Sequence, residues 1–147
     1  MKKMLLLLAV VLGSVSFAFA GRNFSGVWRL TPISQMAPVD TVLSGAALIS
    51  INMAANTITL IADSPRLYDE YVIDGDEHQI ATRFGNLKYA TSWEGDTLVI
   101  KRTPAGKSGI AAHTLRFTIS PNGLDLQITC TREGEKSPRD VLIWEKR

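Results

Sequence analysis

Few residues in this sequence carry reactive or ligating chemistry, and they are thinly spread. His78 and His113 are the only histidines and Cys130 the only cysteine. Nucleophilic catalysis needs a nucleophile, a base and an orienting group in mutual hydrogen-bond reach. The chain has no Gly-x-Ser-x-Gly and no His-Glu-x-x-His, and two isolated histidines lack metal-ligand spacing. No catalytic residue, metal site or cofactor is therefore expected. Asp74 and Asp76 bracket Gly75 and read as turn formers rather than as an acid–base pair. The set that remains is Tyr89, Arg102 and His113, which suits binding: a cation and two hydrogen-bonding rings can hold an anionic or polar head group beside an apolar wall.

Whether these three meet depends on the elements that carry them. Short alternating segments at 24–30, 46–52, 57–62, 67–73, 76–82, 88–93, 98–102, 111–119, 124–131 and 139–146 read as strands, and no stretch reads as a helix. Asp74-Gly75 signals a two-residue hairpin, and Gly95-Asp96 and Pro121-Asn122-Gly123 signal further tight turns. If Gly95-Asp96 is a turn, Trp93 faces Leu98, Thr91 meets Ile100 and Tyr89 meets Arg102. His113 shares the face of Leu115, Phe117 and Ile119, so Phe117 joins the expected ligand wall.

Such a run of strands predicts an all-β fold, an up-and-down antiparallel barrel of about eight to ten strands. With each strand paired to the next, connections 53–56, 74–75, 94–96 and 121–123 fall at one end. The longer ones, 31–45, 63–66, 83–86, 103–110 and 132–138, fall at the other. That predicts a cup with a tightly turned base and a loop-rich mouth, where Tyr89, Arg102 and His113 would sit and where the 31–45 loop would act as a lid. The alternative is that Arg102 and His113 flank a loop and reach water. An even strand count sets the last strand antiparallel to the first, so the barrel can close without raw edges.

Lys2 and Lys3, an apolar run and Ala18-Phe19-Ala20 have the form of a secretory signal peptide, with cleavage expected after Ala20. The domains are thus expected to be a leader over residues 1–20 and one barrel over 21–147. Sixteen Lys and Arg stand against fourteen Asp and Glu, and loss of Lys2 and Lys3 brings them to balance, which removes the electrostatic case for nucleic acid. Cys130 shares the face of Leu124, Leu126 and Ile128 and reads as a buried small hydrophobe. The opposite positions Arg116, Thr118, Asp125, Gln127 and Thr129 are polar, which argues against a membrane-inserted barrel. An exported protein, periplasmic or extracellular, is expected.

The first strand, Phe24-Ser25-Gly26-Val27-Trp28-Arg29-Leu30, carries Gly-x-Trp, which resembles the signature of the calycin group of lipocalins, fatty-acid-binding proteins, avidins and nitrobindins. Together with Ile73-Asp74-Gly75, the stretch from Trp93 to Ile100 and Ser120 to Leu124, the chain resembles small secreted bacterial lipocalin-like proteins over nearly its whole mature length. The resemblance implies a ligand-holding barrel and a basic residue late in the chain over the first-strand Trp, a place that Lys146 or Arg147 could take. A haem pocket of the nitrobindin kind would need a positioned histidine, for which His113 is the candidate. Gly26, Trp28, Trp93 and Trp144 are expected to close the turned end by filling space. The function expected is non-enzymatic binding of a small apolar or amphipathic ligand. The alternative is a packed barrel that binds a protein partner, such as an exported enzyme, through its loops.

Overall fold

The structure, a computed structural model, describes residues 22–31, 43, 46–63, 66–82, 85–106 and 111–147. The expected leader and the lid expected over 31–45, apart from Thr31 and Leu43, lie outside the described residues. Ten strands follow one another: β1 (Gly26–Leu30), β2 (Leu48–Met53), β3 (Thr57–Asp63), β4 (Arg66–Val72), β5 (Glu77–Thr82), β6 (Gly85–Glu94), β7 (Thr97–Pro104), β8 (His113–Ile119), β9 (Asp125–Arg132) and β10 (Asp140–Lys146). They form one antiparallel sheet in the order β4-β3-β2-β1-β10-β9-β8-β7-β6-β5. The expected all-β meander is therefore present, and the chain's two end strands meet in the middle of the sheet.

Alternation explains why these segments are strands. On β8, His113, Leu115 and Phe117 are buried and the residues between them are half-exposed; on β9, Leu126, Ile128 and Cys130 are buried. One face of each strand thus enters a common core and the other meets solvent. On the outer face Arg116 donates to Glu94 at 2.7 Å. Gly95, at φ 61°, makes the β6–β7 turn, and Trp93 pairs with Leu98, Thr91 with Ile100 and Tyr89 with Arg102, as the turn predicts.

The closing contact is β1 on β10. Trp28 pairs with Lys146 on one side and Ile49 on the other. Its indole is fully buried, and Nε1–H donates to the Phe24 carbonyl at 2.9 Å, so the one polar atom it carries is satisfied. At ~25 cal/mol per Å², burying a side chain of this size stabilises by at most roughly 4–6 kcal/mol. The Lys146 ammonium lies 5.6 Å from the Trp28 ring centre. This is the late basic residue that the resemblance implies, held by backbone pairing. Gly26 makes the arrangement possible: its φ is +149°, and a Cβ there would stand 3.2 Å from Lys146 Cε. Phe24 stacks on Trp93 with centroids 5.7 Å apart and touches Phe117 at 6.2 Å, while Trp144 is fully buried. Aromatic side chains thus occupy the interior beside the β1–β10 closure.

Two expectations are corrected. The connections at the far end are not uniformly long: Asp63 pairs with Arg66 and Thr82 with Gly85, so β3–β4 and β5–β6 are joined by two residues each. Pairing extends the strands through residues whose polar character resembles a loop. More important, Asp74-Gly75 does not make a hairpin. Gly75 has the expected positive φ of 84°, but β4 and β5 are the two ends of the sheet and are not paired. The Asp74 carboxylate instead accepts from the Asp76 amide at 2.9 Å, and Gly75 N donates across to Thr91 O at 2.9 Å. The turn is anchored on β6, and the barrel is left with one unpaired seam.

The closure contact yields a graded prediction. Trp28→Ala should cost about 3–5 kcal/mol. Gly26→Ala, by straining the backbone and displacing the Lys146 stem, should cost about 1–3 kcal/mol. Lys146→Ala should cost about 1 kcal/mol or less. Urea denaturation midpoints should fall in that order.

Candidate functional site

Cross-strand pairing carries one row of positions on the core-facing side over five strands. His78 on β5 pairs with Tyr89 on β6, Tyr89 with Arg102 on β7, Arg102 with His113 on β8, and His113 with Arg132 on β9. The next row, Thr91, Ile100, Leu115 and Cys130, is mostly apolar. Tyr89, Arg102 and His113 are thus brought together as the sequence suggests. They are nearly enclosed, at 5%, 2% and 7% exposed, although Arg102 and His113 border a surface pocket with Arg132 and Glu133. The alternative in which Arg102 and His113 reach water is overturned by the same burial. His113 is oriented by Nδ1, which donates to the Ala111 carbonyl at 2.9 Å. Phe117 stands two rows away, fully buried between Leu98 and Ile128 and against Phe24, and belongs to the aromatic filling.

Arg102 is the unusual member. All three of its guanidinium nitrogens are buried and have no hydrogen-bond partner among the described residues. The group lies over the Tyr71 ring, 5.9 Å from its centre. Tyr71, on β4, is itself fully buried; its hydroxyl donates to Asp69 Oδ2 at 3.0 Å, and its ring meets Tyr89 edge-on at 4.9 Å. Burial pushes the Tyr71 hydroxyl above the usual tyrosine range although Arg102 pulls it down, so it remains a donor. The Tyr71 ring thus lies against the cation, and the Asp69 carboxylate is tied to the same ring through its hydroxyl.

The same side chains bridge the seam. Tyr89 reaches from β6 past β5, and its hydroxyl accepts the β4 amide of Val72 at 3.1 Å. His78 stacks on Tyr89 at 5.4 Å and places Nε2 2.9 and 3.0 Å from the two Asp74 oxygens. That hydrogen bond, helped by the Asp76 amide, holds the Asp74 carboxyl below the usual carboxylate range. Side chains thus do across β4 and β5 what backbone ladders do elsewhere.

Sequence reasoning missed Asp69, Tyr71 and Thr91. A usable signal was present for the first: Leu67, Asp69 and Tyr71 share one face by the period of two, and an acid on an apolar face marks a buried polar site. Thr91 carried none, because threonine is ordinary in strands. Among the described residues there is no cluster of His, Cys, Asp and Glu that could hold a metal. No helix among them is long and apolar enough to cross a membrane.

Two outcomes follow from the seam. Tyr89→Phe keeps the ring contacts but strips Val72 N–H of its acceptor, so its amide should exchange with deuterium faster and stability should drop by about 1 kcal/mol. Because the folded Asp74 pKa is depressed, its contribution is present above the ordinary value of about 3.9 and fades as pH falls through the lower folded value. The stability gap between wild type and Asp74→Asn should therefore close below about pH 4, as read by denaturation midpoints at pH 6, 4 and 3.

No family model and no curated protein sequence matches the chain. Solved structures do. A structure described as the REP1-NXSQ fatty acid transporter superposes with a TM-score of 0.60 at 13% identity, over 84% of this chain and 96% of that one. A tyrosine-to-phenylalanine mutant of the same transporter gives a TM-score of 0.60 and 13% identity, over 84% of this chain and 98% of that one. At that identity the likeness shows the fold alone, a nearly closed antiparallel barrel of ten strands.

Proposed function

We propose that this protein is an exported, non-enzymatic carrier of a small amphipathic anion, held with its head group at Arg102 and its apolar body within the barrel. One observation carries the reading: a guanidinium that is 2% exposed and has no hydrogen-bond partner among the described residues. Burying an unpaired charge costs several kcal/mol. Nothing in the fold requires that cost, since an apolar side chain of similar size would suit the position, between Tyr89 and His113 on the strands to either side. An anionic ligand supplies the missing partner, and charge-assisted bonds to a guanidinium are the stronger kind. Ile58, Leu60, Tyr71, Leu87 and Ile100, buried in the barrel, offer an apolar lining. The resemblance to barrels described as fatty acid transporters supports a long-chain carboxylate as the first ligand to try.

A second reading, a packed barrel that binds a protein partner, is favoured by one feature. Ile58, Leu60, Tyr71, Leu87, Leu98, Ile100 and Phe117 are 0–1% exposed, which leaves no water-sized void against them. On the carrier reading the ligand enters by displacing packed side chains, and the seam without backbone pairing is the weakest part of the wall. Mass spectrometry of protein purified without denaturant separates the two: the carrier reading expects a co-purifying amphipathic acid, and the packed barrel expects none.

Arg102→Met is the decisive variant. It removes a buried charge and keeps much of the volume, so the unliganded melting temperature should hold or rise. Affinity for a long-chain carboxylate should fall about 10- to 100-fold. A variant that loses stability and binds with unchanged affinity would overturn the carrier reading.

A further inference from the structure

Thr91 has no evident structural task for its hydroxyl. The residue is 0% exposed, and Oγ1 has no hydrogen-bond partner among the described residues. Its backbone is engaged, with Thr91 O accepting from Gly75 N at 2.9 Å, so the side chain is fixed on the interior face. Thr91 pairs with Ile100, two residues before Arg102 on the same face of β7, and it follows Tyr89 by two on β6. Thr91 and Arg102 are therefore diagonal cross-strand neighbours, a relation that sets two positions about 7–8 Å apart. The two side chains do not bond to each other, and both end in buried polar atoms without partners. A buried hydroxyl left unsatisfied costs about 1–3 kcal/mol, and valine would fill the same space without that cost.

We propose that Thr91 completes the anion site: Arg102 holds one oxygen of a carboxylate and Thr91 Oγ1–H donates to the other. This rests on the carrier reading and narrows its ligand to a monoanion. A single guanidinium balances one negative charge. A dianionic phosphate head would add a second negative charge near Asp69, whose buried carboxylate accepts from the hydroxyl of the Tyr71 ring that Arg102 covers. A planar carboxylate also presents two oxygens at the spacing that a cation and a neighbouring hydroxyl can share.

The test compares palmitate with its methyl ester as competitors of a fluorescent polyene fatty acid, on wild type, Thr91→Val, Thr91→Ser and Arg102→Met. Thr91→Val should weaken palmitate about 5- to 20-fold, leave the ester within about twofold, and raise the unliganded melting temperature. Thr91→Ser, which keeps the hydroxyl, should restore the acid-over-ester preference. In an Arg102→Met background the effect of Thr91→Val should vanish. If Thr91→Val leaves the preference intact while Arg102→Met abolishes it, Thr91 has no role and the carrier reading stands. If Arg102→Met also leaves the preference intact, both readings fall. A lower melting temperature for Thr91→Val would assign the hydroxyl to the fold and overturn the proposal.

Discussion

The barrel exists because its first strand closes on its last. β1 is five residues long, yet it holds β2 on one side and β10 on the other, and without it the sheet would be two separate halves. The interaction that secures it is Trp28 under Lys146, made possible by a glycine whose backbone and missing Cβ leave room for the lysine stem. With the closure at β1 and β10, the unpaired edges fall at β4 and β5, at the opposite ends of the strand order. The seam is thus the counterpart of the closure.

That seam and the candidate site share their residues. Tyr89 satisfies a β4 amide, packs on His78, and meets Tyr71, which lies beneath Arg102. Arg102 is therefore linked through Tyr71 and Tyr89 to the region where backbone pairing is absent. Arg102, Thr91 and His113 bring buried polar atoms into this region, as Thr31, Asp140 and Trp144 do elsewhere in the barrel. Arg102 and Thr91 carry buried polar atoms that have no partner among the described residues, and the proposed ligand would supply one.

Strand positions, register and closure were legible in the sequence because they depend on short-range chemistry: alternation with a period of two, glycines at turns, and Gly-x-Trp on the first strand. The pairing of Tyr89 with Arg102 followed from one turn, Gly95-Asp96, by counting. The seam was not legible, since Asp74-Gly75 has good hairpin chemistry and local preference does not reveal that its flanking strands diverge. Tertiary anchoring of that turn on Thr91 and of Tyr89 on Val72 decided the outcome. Depth was also misjudged. A polar set near the ends of strands suggests a mouth, whereas the tilt of strands in a barrel carries one cross-strand row from the turned end at His78 to the loop end at Arg132, with Arg102 enclosed midway. Asp69 and Tyr71 come from β4, on the far side of the seam, so no pairing rule could place them beside Arg102.

The central claim is that the buried guanidinium awaits an anion, and the Nε–H resonance of Arg102 reports on it directly. Titration of the full folded protein with a long-chain carboxylate, followed by nitrogen–proton correlation spectroscopy, should move that resonance downfield and saturate at one equivalent, while the alcohol of the same chain length leaves it in place. A resonance that stays put with the carboxylate, or moves equally with the alcohol, would contradict the account.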